Sequence, residues 1–440
     1  MNKELLDLAS LALEQAKRAG AGGCRVTISN QRDVEVSYRE RKPETIKEAS
    51  TRDLTISLYV DGRYSAQGTS DLRPPALSSF IAQAVAATRL LAEDPHRSLP
   101  DPKYFAGVVE RDLGVDDPAY GAVKPADRHD AARAIEAAAL EKGGAKLIST
   151  TASVSDSRGE LVMVSSNGFQ GYSASTSYVS VAQVSLQDEG DRRPMAYSFA
   201  VAANRADLPE QARVGAEAVA RTMAMFGARK IETASLPIIV ENRVAARLLG
   251  NLLGAMSGRS IQQKQSYLAE KKGQKIGSDV LTLIDDPFLP RGLGSQTFDG
   301  DGLAAKRRTM VEAGVLREFF VDWYYSRKLG WEPTTAGASN LILPPGRRSV
   351  AEIMKDLGRG IYITEFIGGN NNSTTGDFSV GIGGQYFENG APVHAVAEMN
   401  IASNALEFWP KLVETANDPY PYSSQRLPSL VFRDVVLSGT

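Results

Sequence analysis

The order of elements in the first half of the chain constrains the fold most strongly. An amphipathic pattern over residues 4–19 predicts a helix, and alternating apolar residues over 54–59 predict a half-buried strand. Asp61-Gly62 predicts a two-residue hairpin turn. A second helix is predicted over residues 76–91. A third, over residues 125–141, is again followed by strands, with a hairpin turn at Asn167-Gly168. Strands joined by such turns are antiparallel, so we expect helices packed on an antiparallel sheet, an α+β fold.

The remaining strands of this half are predicted from shorter patterns. Their residue ranges are 25–29, 33–38, 63–69, 147–155, 160–165, 169–186 and 195–201. The helix-then-strands order occurs twice, but the two copies share no convincing residue pattern. Duplication is therefore a hypothesis based on element order alone.

The chain has 440 residues and a mass of 47.3 kDa, which favours two domains. Around residues 228–235 the pattern changes to short apolar runs with many Gly and Asn turns. We therefore predict an N-terminal α+β domain at residues 1–228 and a β-rich domain with short helices at residues 229–440.

Composition excludes several classes of protein. Apolar residues make up 42% of the chain and charged residues 23%, which is typical of a globular protein. The 50 Lys and Arg against 52 Asp and Glu leave no basic excess for direct nucleic-acid binding. No apolar stretch approaches the roughly 18 residues of a membrane helix, and the first residues do not resemble a secretory signal. We expect a cytoplasmic protein that does not interact with membranes.

Potential metal ligands are scarce. The chain has one cysteine, Cys24, and three histidines, His96, His129 and His394, which are far apart in the sequence. A zinc site needs clustered imidazole, thiolate or carboxylate donors, and a histidine triad needs a placed histidine. We therefore predict no metal and no catalytic residue in this chain.

Two carboxylates stand in a glycine-rich segment, Phe298-Asp299-Gly300-Asp301-Gly302. Such a pair could bind a divalent cation or act as acid and base. Asp and Gly are also the residues that tight turns require. We favour a structural loop built by Phe298, Asp299, Asp301 and Gly302.

A polar segment, residues 368–384, is rich in glycine and asparagine and lies between predicted strands. A long polar loop within a compact domain is often functional, and its glycines would permit close approach of an extended peptide. Peptide contact and a plain mobile loop both remain open. The candidate peptide-binding residues are Asn371, Asn372, Gly376, Asp377, Phe378 and Ser379.

Several motifs in register resemble one family. They begin at Phe298-Asp299-Gly300-Asp301-Gly302 and continue as Val311-Glu312-Ala313-Gly314, Tyr324-Tyr325-Ser326-Arg327, Thr375-Gly376-Asp377-Phe378-Ser379 and Tyr386-Phe387-Glu388-Asn389-Gly390. Together they resemble the TldD/PmbA family, formerly called modulators of DNA gyrase. The resemblance covers essentially the whole chain and is most specific from about residue 235 onward.

The resemblance implies a role in a cytosolic metalloprotease made of paired subunits. The TldD-type subunit carries H-E-x-x-x-H on a helix and a later cysteine, which hold zinc. The TldE or PmbA type lacks these ligands and helps to form the chamber that binds and cleaves unfolded peptides. Here Leu249, Gly250 and Gly254 stand at the histidine, glutamate and histidine positions, and no cysteine follows.

The resemblance therefore implies a TldE-type subunit that is inactive alone and pairs with a zinc-containing TldD-type chain. The alternative is a homodimeric binding or regulatory protein without protease activity. A third hypothesis, an independent hydrolase that uses Asp299 and Asp301, is the least favoured because no metal ligands accompany them.

Overall fold

A computed structural model describes residues 2–109 and 111–439. The N-terminal domain is one antiparallel sheet with helices on one face, as predicted. Its elements are α1 (Lys3–Arg18), β1 (Gly23–Arg39), β2 (Lys42–Val60), β3 (Arg63–Thr69), α2 (Pro74–Thr88), α3 (Pro125–Gly143), β4 (Leu147–Ser165), β5 (Gln170–Leu186), β6 (Met195–Ala202) and α4 (Gln211–Met223).

The strand order in this sheet is β3-β2-β1-β4-β5-β6. The helix–three strands–helix unit thus occurs twice, and the two units meet at the β1–β4 pair. Alternate residues of β1 such as Val26 and Ile28 pack under α1 and α2, whereas Val36 and Tyr38 pack under α3 and α4. The element order repeated in the sequence is therefore also a spatial repeat about the centre of the sheet.

The C-terminal domain contains two further sheets and short helices. Its elements are β7 (Ala234–Val240), α5 (Ala245–Ala255), α6 (Gly258–Gln262), β8 (Leu283–Asp285), β9 (Arg308–Glu312), β10 (Val315–Leu316), α7 (Trp323–Leu329), β11 (Leu341–Ile342), α8 (Val350–Leu357), β12 (Arg359–Asn371), β13 (Asp377–Glu388), β14 (Ala391–Asn404), α9 (Ala405–Phe408), β15 (Leu412–Thr415), β16 (Gln425–Arg426) and β17 (Leu430–Leu437). The sheet orders are β10-β9-β8-β11-β16 and β14-β13-β12-β7-β17-β15. This β-rich architecture confirms the predicted fold class.

The domains contact each other at several places, of which two bear on the candidate sites. On one side, the Phe169 and Phe298 rings pack edge to face at 5.3 Å, and Arg25 pairs with Asp301 at 3.1 Å. On the other side, Arg221 of α4 forms a bidentate pair with Glu241, just after β7. The predicted boundary at residues 228/229 lies between α4 and β7.

Two local predictions were wrong. Residues 25–29 and 33–38 form one continuous strand, β1, because β2 and β4 pair with it on both sides and satisfy the polar backbone between the two runs. The predicted long polar loop is instead the end of a hairpin, since β12 reaches Asn371 and β13 starts at Asp377. Main-chain pairing with a neighbouring strand overrode the loop-like composition in both cases.

Candidate functional site

Helix α5 carries Leu249, Gly250 and Gly254, the three positions at which the sequence resemblance predicts a lost metal site. Leu249 is only 1% exposed and packs in the main core of the C-terminal domain. Gly250 and Gly254 lie one turn apart on the opposite, open side, where a Cβ atom would meet no heavy atom within 4 Å. Leucine and glycine side chains offer no lone pair to a transition metal. These three positions of α5 therefore offer no side-chain ligand for a metal ion.

Potential metal ligands elsewhere in the described chain do not form a metal site either. Cys24 is buried in the N-terminal domain, where burial raises the pKa of its thiol to about 11, so it stays protonated. Within residues 2–109 and 111–439, no cluster of three or more His, Cys, Asp or Glu residues could hold a metal ion. The donor set does not fit the zinc that the metalloprotease resemblance implies.

The Asp299 segment is an anchored turn. Asp299 is buried, and its carboxylate accepts hydrogen bonds from the N–H groups of Asp301 and Leu303 at 2.9 Å and of Ala336 at 2.8 Å. Burial raises the pKa of Asp299, the nearby Asp301 charge adds to this, and the three N–H donors oppose it. Gly302 has a φ of +84°, which the turn requires.

Asp301 and Phe298 extend the same turn to the N-terminal domain. Besides pairing with Arg25, the Asp301 carboxylate accepts a hydrogen bond from the N–H of Trp323 at 3.1 Å. Phe298 lies in a small apolar cluster with Met163 and Phe169. The carboxylates of Asp299 and Asp301 are therefore both paired with groups of the fold.

The Asn-rich end of the β12–β13 hairpin is closed by its own side chains. The side-chain oxygen of Asn372 accepts hydrogen bonds from the N–H groups of Thr374 at 3.0 Å and Thr375 at 3.4 Å, an Asx-type turn. Asp377 accepts hydrogen bonds from the Thr375 hydroxyl at 2.6 Å and the Asn404 amide at 2.9 Å. We call residues 371–379 the hairpin tip.

The other predicted peptide-binding residues of the hairpin tip are also placed by the fold. Phe378 is buried and meets Phe408 edge to face at 5.3 Å. Ser379 accepts a hydrogen bond from the Asn400 amide at 2.9 Å. Gly376 has a φ of +87°, and a Cβ there would approach the Tyr267 ring to 3.2 Å. Asn371 is exposed, but most of the hairpin tip is engaged with itself and its neighbours.

A larger candidate site lies elsewhere, between the two domains. This interdomain cleft has a volume of about 750 Å³, within the usual range for ligand pockets. One wall is β6 with the C-terminal end of α4, and the other is the β12–β14 sheet with the start of α5. The residues that line the cleft include Arg193, Met195, Tyr197, Arg221, Arg247, Glu365 and Gly383.

Strand β6 is an edge strand whose main chain faces this cleft. The N–H of Leu186 donates to the Pro194 carbonyl at 3.1 Å, and the register continues with Ala196 opposite Val184. Hydrogen-bonded positions alternate in antiparallel pairs, so Ala196 bonds to β5 and Tyr197 directs its N–H and C=O outward. No described residue satisfies these two groups of Tyr197. The cleft therefore contains a free strand edge.

The side chains at this edge are apolar and exposed. Met195 is 54% exposed and Tyr197 59% exposed, although both are of types that usually bury most of their surface. Exposed apolar groups beside an unpaired strand edge are typical of surfaces that receive an extended chain.

Little in the sequence marked this site. The alternation of β6 predicted a strand over residues 195–201, but nothing identified it as an edge. The cleft forms from elements up to about 200 residues apart in the chain. The pair Arg192-Arg193 before Pro194 was the one local hint, and two basic residues alone are usually a solvated surface.

The fold and the cleft define a class: a two-domain α+β protein with a candidate binding surface between its domains. Two family models match, the PmbA/TldA metallopeptidase central domain over residues 119–226 and the corresponding C-terminal domain over residues 233–439. The chain is 31% identical to the metalloprotease PmbA of Escherichia coli O157:H7 over 99% of this chain and 96% of that protein. The chain therefore belongs to the TldD/PmbA family.

Other relatives agree with this assignment. The metalloprotease PmbA homologue of Haemophilus influenzae is 26% identical over 99% of this chain and 96% of its own length. A crystal structure from Bacteroides thetaiotaomicron, described as a modulator of DNA gyrase, is 35% identical with a TM-score of 0.96, over 99% of both chains. TldE from Thermococcus kodakarensis has the same fold, with a TM-score of 0.85 at 20% identity, over 98% of this chain and 100% of its own.

Membership of this family gives the chain a protease-related role. Across residues 2–109 and 111–439, no helix combines the length and apolarity that crossing a membrane would require.

Proposed function

We propose that the chain is a non-catalytic subunit of the TldE/PmbA type, which joins a TldD-type subunit to form the chamber of a peptidase. The observation that supports this proposal is that Leu249, Gly250 and Gly254 of α5, which the sequence resemblance places at the metal-site positions, have no side-chain donor atoms. Without imidazole ligands no zinc-bound water can be activated, and without a glutamate there is no general base on this helix. The metal and the hydrolytic step belong to the partner in this proposal.

The part of the chain proposed to contact the peptide is the interdomain cleft. An unfolded peptide can add to the free edge of β6 and pair with the N–H and C=O of Tyr197. Main-chain pairing does not depend on peptide sequence, which suits a protease that accepts unfolded chains. The predicted role of the hairpin tip and the cytoplasmic location remain predictions.

The decisive experiment combines this chain with a TldD-type relative from the same genome. We expect the two proteins to elute together at micromolar concentration, with about one zinc ion per pair, and to cleave casein. The isolated chain should hold no stoichiometric zinc and should leave casein intact. Separate elution, or chelator-sensitive cleavage by the isolated chain, would contradict the proposal. A homodimer that ignores the relative would favour the regulatory alternative.

The cleft can be tested by one substitution and its matched control. Tyr197→Pro removes the outward N–H at an edge position where proline is tolerated, whereas Tyr197→Ala removes the side chain and keeps the N–H. We expect the proline variant to slow casein cleavage by the pair more than the alanine variant does. Equal effects would mean that the side chain, and not strand pairing, contributes to binding.

A further inference from the structure

We infer that the interdomain cleft selects extended peptides that carry a cationic group, and that the Glu365 carboxylate receives this group. The cation is an ammonium or a guanidinium, supplied by the peptide N-terminus or by a basic side chain. This inference rests on the proposed function, because it names the chemical class of peptide that the same cleft binds.

Glu365 is a half-buried carboxylate that lacks a partner. It lies on β12 and lines the cleft, with its Oε2 atom 3.1 Å from the position that a Cβ on Gly383 would occupy. Among the residues that the structure describes, none forms a hydrogen bond or an ion pair with it. Buried charges are usually paired, so an unpaired carboxylate in a cleft indicates a missing positive group.

The Arg221 guanidinium, whose charge acts on Glu365, does not fill this role. Arg221 donates from Nη1 to Glu241 at 2.6 Å, and from Nη2 to Glu241 at 2.8 Å and to the Thr364 carbonyl at 3.2 Å. Its guanidinium is therefore held by another carboxylate and by the main chain beside Glu365. Burial raises the pKa of Glu365, and the Arg221 charge only partly opposes this shift.

The other charges of the cleft limit what kind of cationic peptide fits. Arg243 pairs with Glu217 at 2.6 Å and Arg192 with Asp188 at 3.6 Å. Among the described residues, Arg193 has no ion-pair partner, and Arg247 donates to the Gly368 carbonyl at 2.8 Å. Within the described residues, the Arg193 and Arg247 guanidinium groups and the Glu365 carboxylate therefore line the same cleft without an ion-pair partner. A polycation would be repelled, but a peptide with one positive and one negative group matches both signs.

The test measures binding of three short peptides to the full-length chain by calorimetry. All are serine-rich pentapeptides with a free carboxyl end: one with a free N-terminus, one acetylated, and one acetylated with an internal lysine. We expect the acetylated peptide without lysine to bind about ten-fold more weakly than the free peptide, since charge-assisted hydrogen bonds are the strong ones. Rescue by lysine would show that any cation suffices, and its failure would restrict the site to the N-terminal ammonium.

Three variants separate the role of Glu365 from general effects. Glu365→Gln should bind all three peptides with the affinity of the acetylated one, and Gly383→Ala should weaken the preference by crowding the carboxylate. Glu388→Gln, an exposed carboxylate on the same hairpin, should behave as wild type. Equal binding of the three peptides by wild type would overturn the inference and leave the peptide-binding proposal intact. Binding of none of them would overturn both.

Discussion

The β12–β13 hairpin contains two regions that differ in how far their polar groups are satisfied. At the hairpin tip, Asn372, Thr375 and Asp377 bond to one another and to Asn404. In the middle of the same hairpin, Glu365 faces the interdomain cleft without a partner among the described residues. A polar segment whose groups are all paired stabilises the fold, whereas one that lacks a partner is prepared for a ligand. Polar composition alone does not distinguish the two.

The largest effect is expected where the hairpin tip meets the core. Phe378→Ala removes a buried ring that packs against Phe408, so we expect the free energy of unfolding to fall by about 3–5 kcal/mol. Phe378→Leu should lose much less, because it keeps most of the volume. The midpoint of urea unfolding measures both. If Phe378→Leu leaves stability near wild type but reduces peptide affinity, the hairpin tip binds peptide after all.

The next effect concerns the ion pair behind the cleft. Arg221→Met leaves Glu241 partly buried and uncompensated, so we expect a loss of about 3 kcal/mol in the free energy of unfolding. Arg52→Met is the matched control, since Arg52 pairs with Glu4 at 2.7 Å and both side chains are exposed, and this pair should contribute less than about 1 kcal/mol. Thermal melting of both variants checks the difference. Similar melting temperatures would show that the Arg221–Glu241 pair adds little to stability.

A smaller effect is expected from the turn itself. Asn372→Ala removes the acceptor for the Thr374 and Thr375 N–H groups, which should lower the free energy of unfolding by about 1 kcal/mol. Asn370→Ala, an exposed neighbour on β12, should change it by less than about 0.5 kcal/mol. Neither variant should alter peptide affinity. A selective loss of affinity in Asn372→Ala would show that this turn contacts the peptide.

Sequence patterns predicted the features that depend on local residues. Asp61-Gly62 and Asn167-Gly168 correctly indicated hairpins, because short hairpin turns are encoded by the residues that adopt them. The absence of donor side chains at Leu249, Gly250 and Gly254 is likewise apparent from the sequence alone. The cleft is not apparent from the sequence, since its walls come from both domains. Nor does the sequence show that Glu365 lacks a partner, because this depends on which residues the fold places around it. Such a site depends on tertiary arrangement and has no local motif.

The smallest predicted effect is a substitution that raises the free energy of unfolding, whereas most substitutions lower it. Burial raises the pKa of Glu365 above its unfolded value, so the folded state keeps this proton to a higher pH than the unfolded state. Stability contributed by this group is therefore present at acid pH and is lost as the pH rises from the ordinary glutamate range through the folded pKa.

Glu365→Gln removes the carboxyl group and with it this loss of stability at higher pH. We expect the variant to be slightly more stable than wild type at pH 7, by less than about 1 kcal/mol because solvent partly screens the group, and to match it at pH 4. Glu388→Gln, measured alongside by thermal melting, should show no such pH-dependent difference. A variant that is more stable yet binds cationic peptides less well would show that Glu365 is retained for binding at the expense of stability. Lower stability of Glu365→Gln at pH 7 would instead mean that the carboxylate has a stabilising partner within the fold.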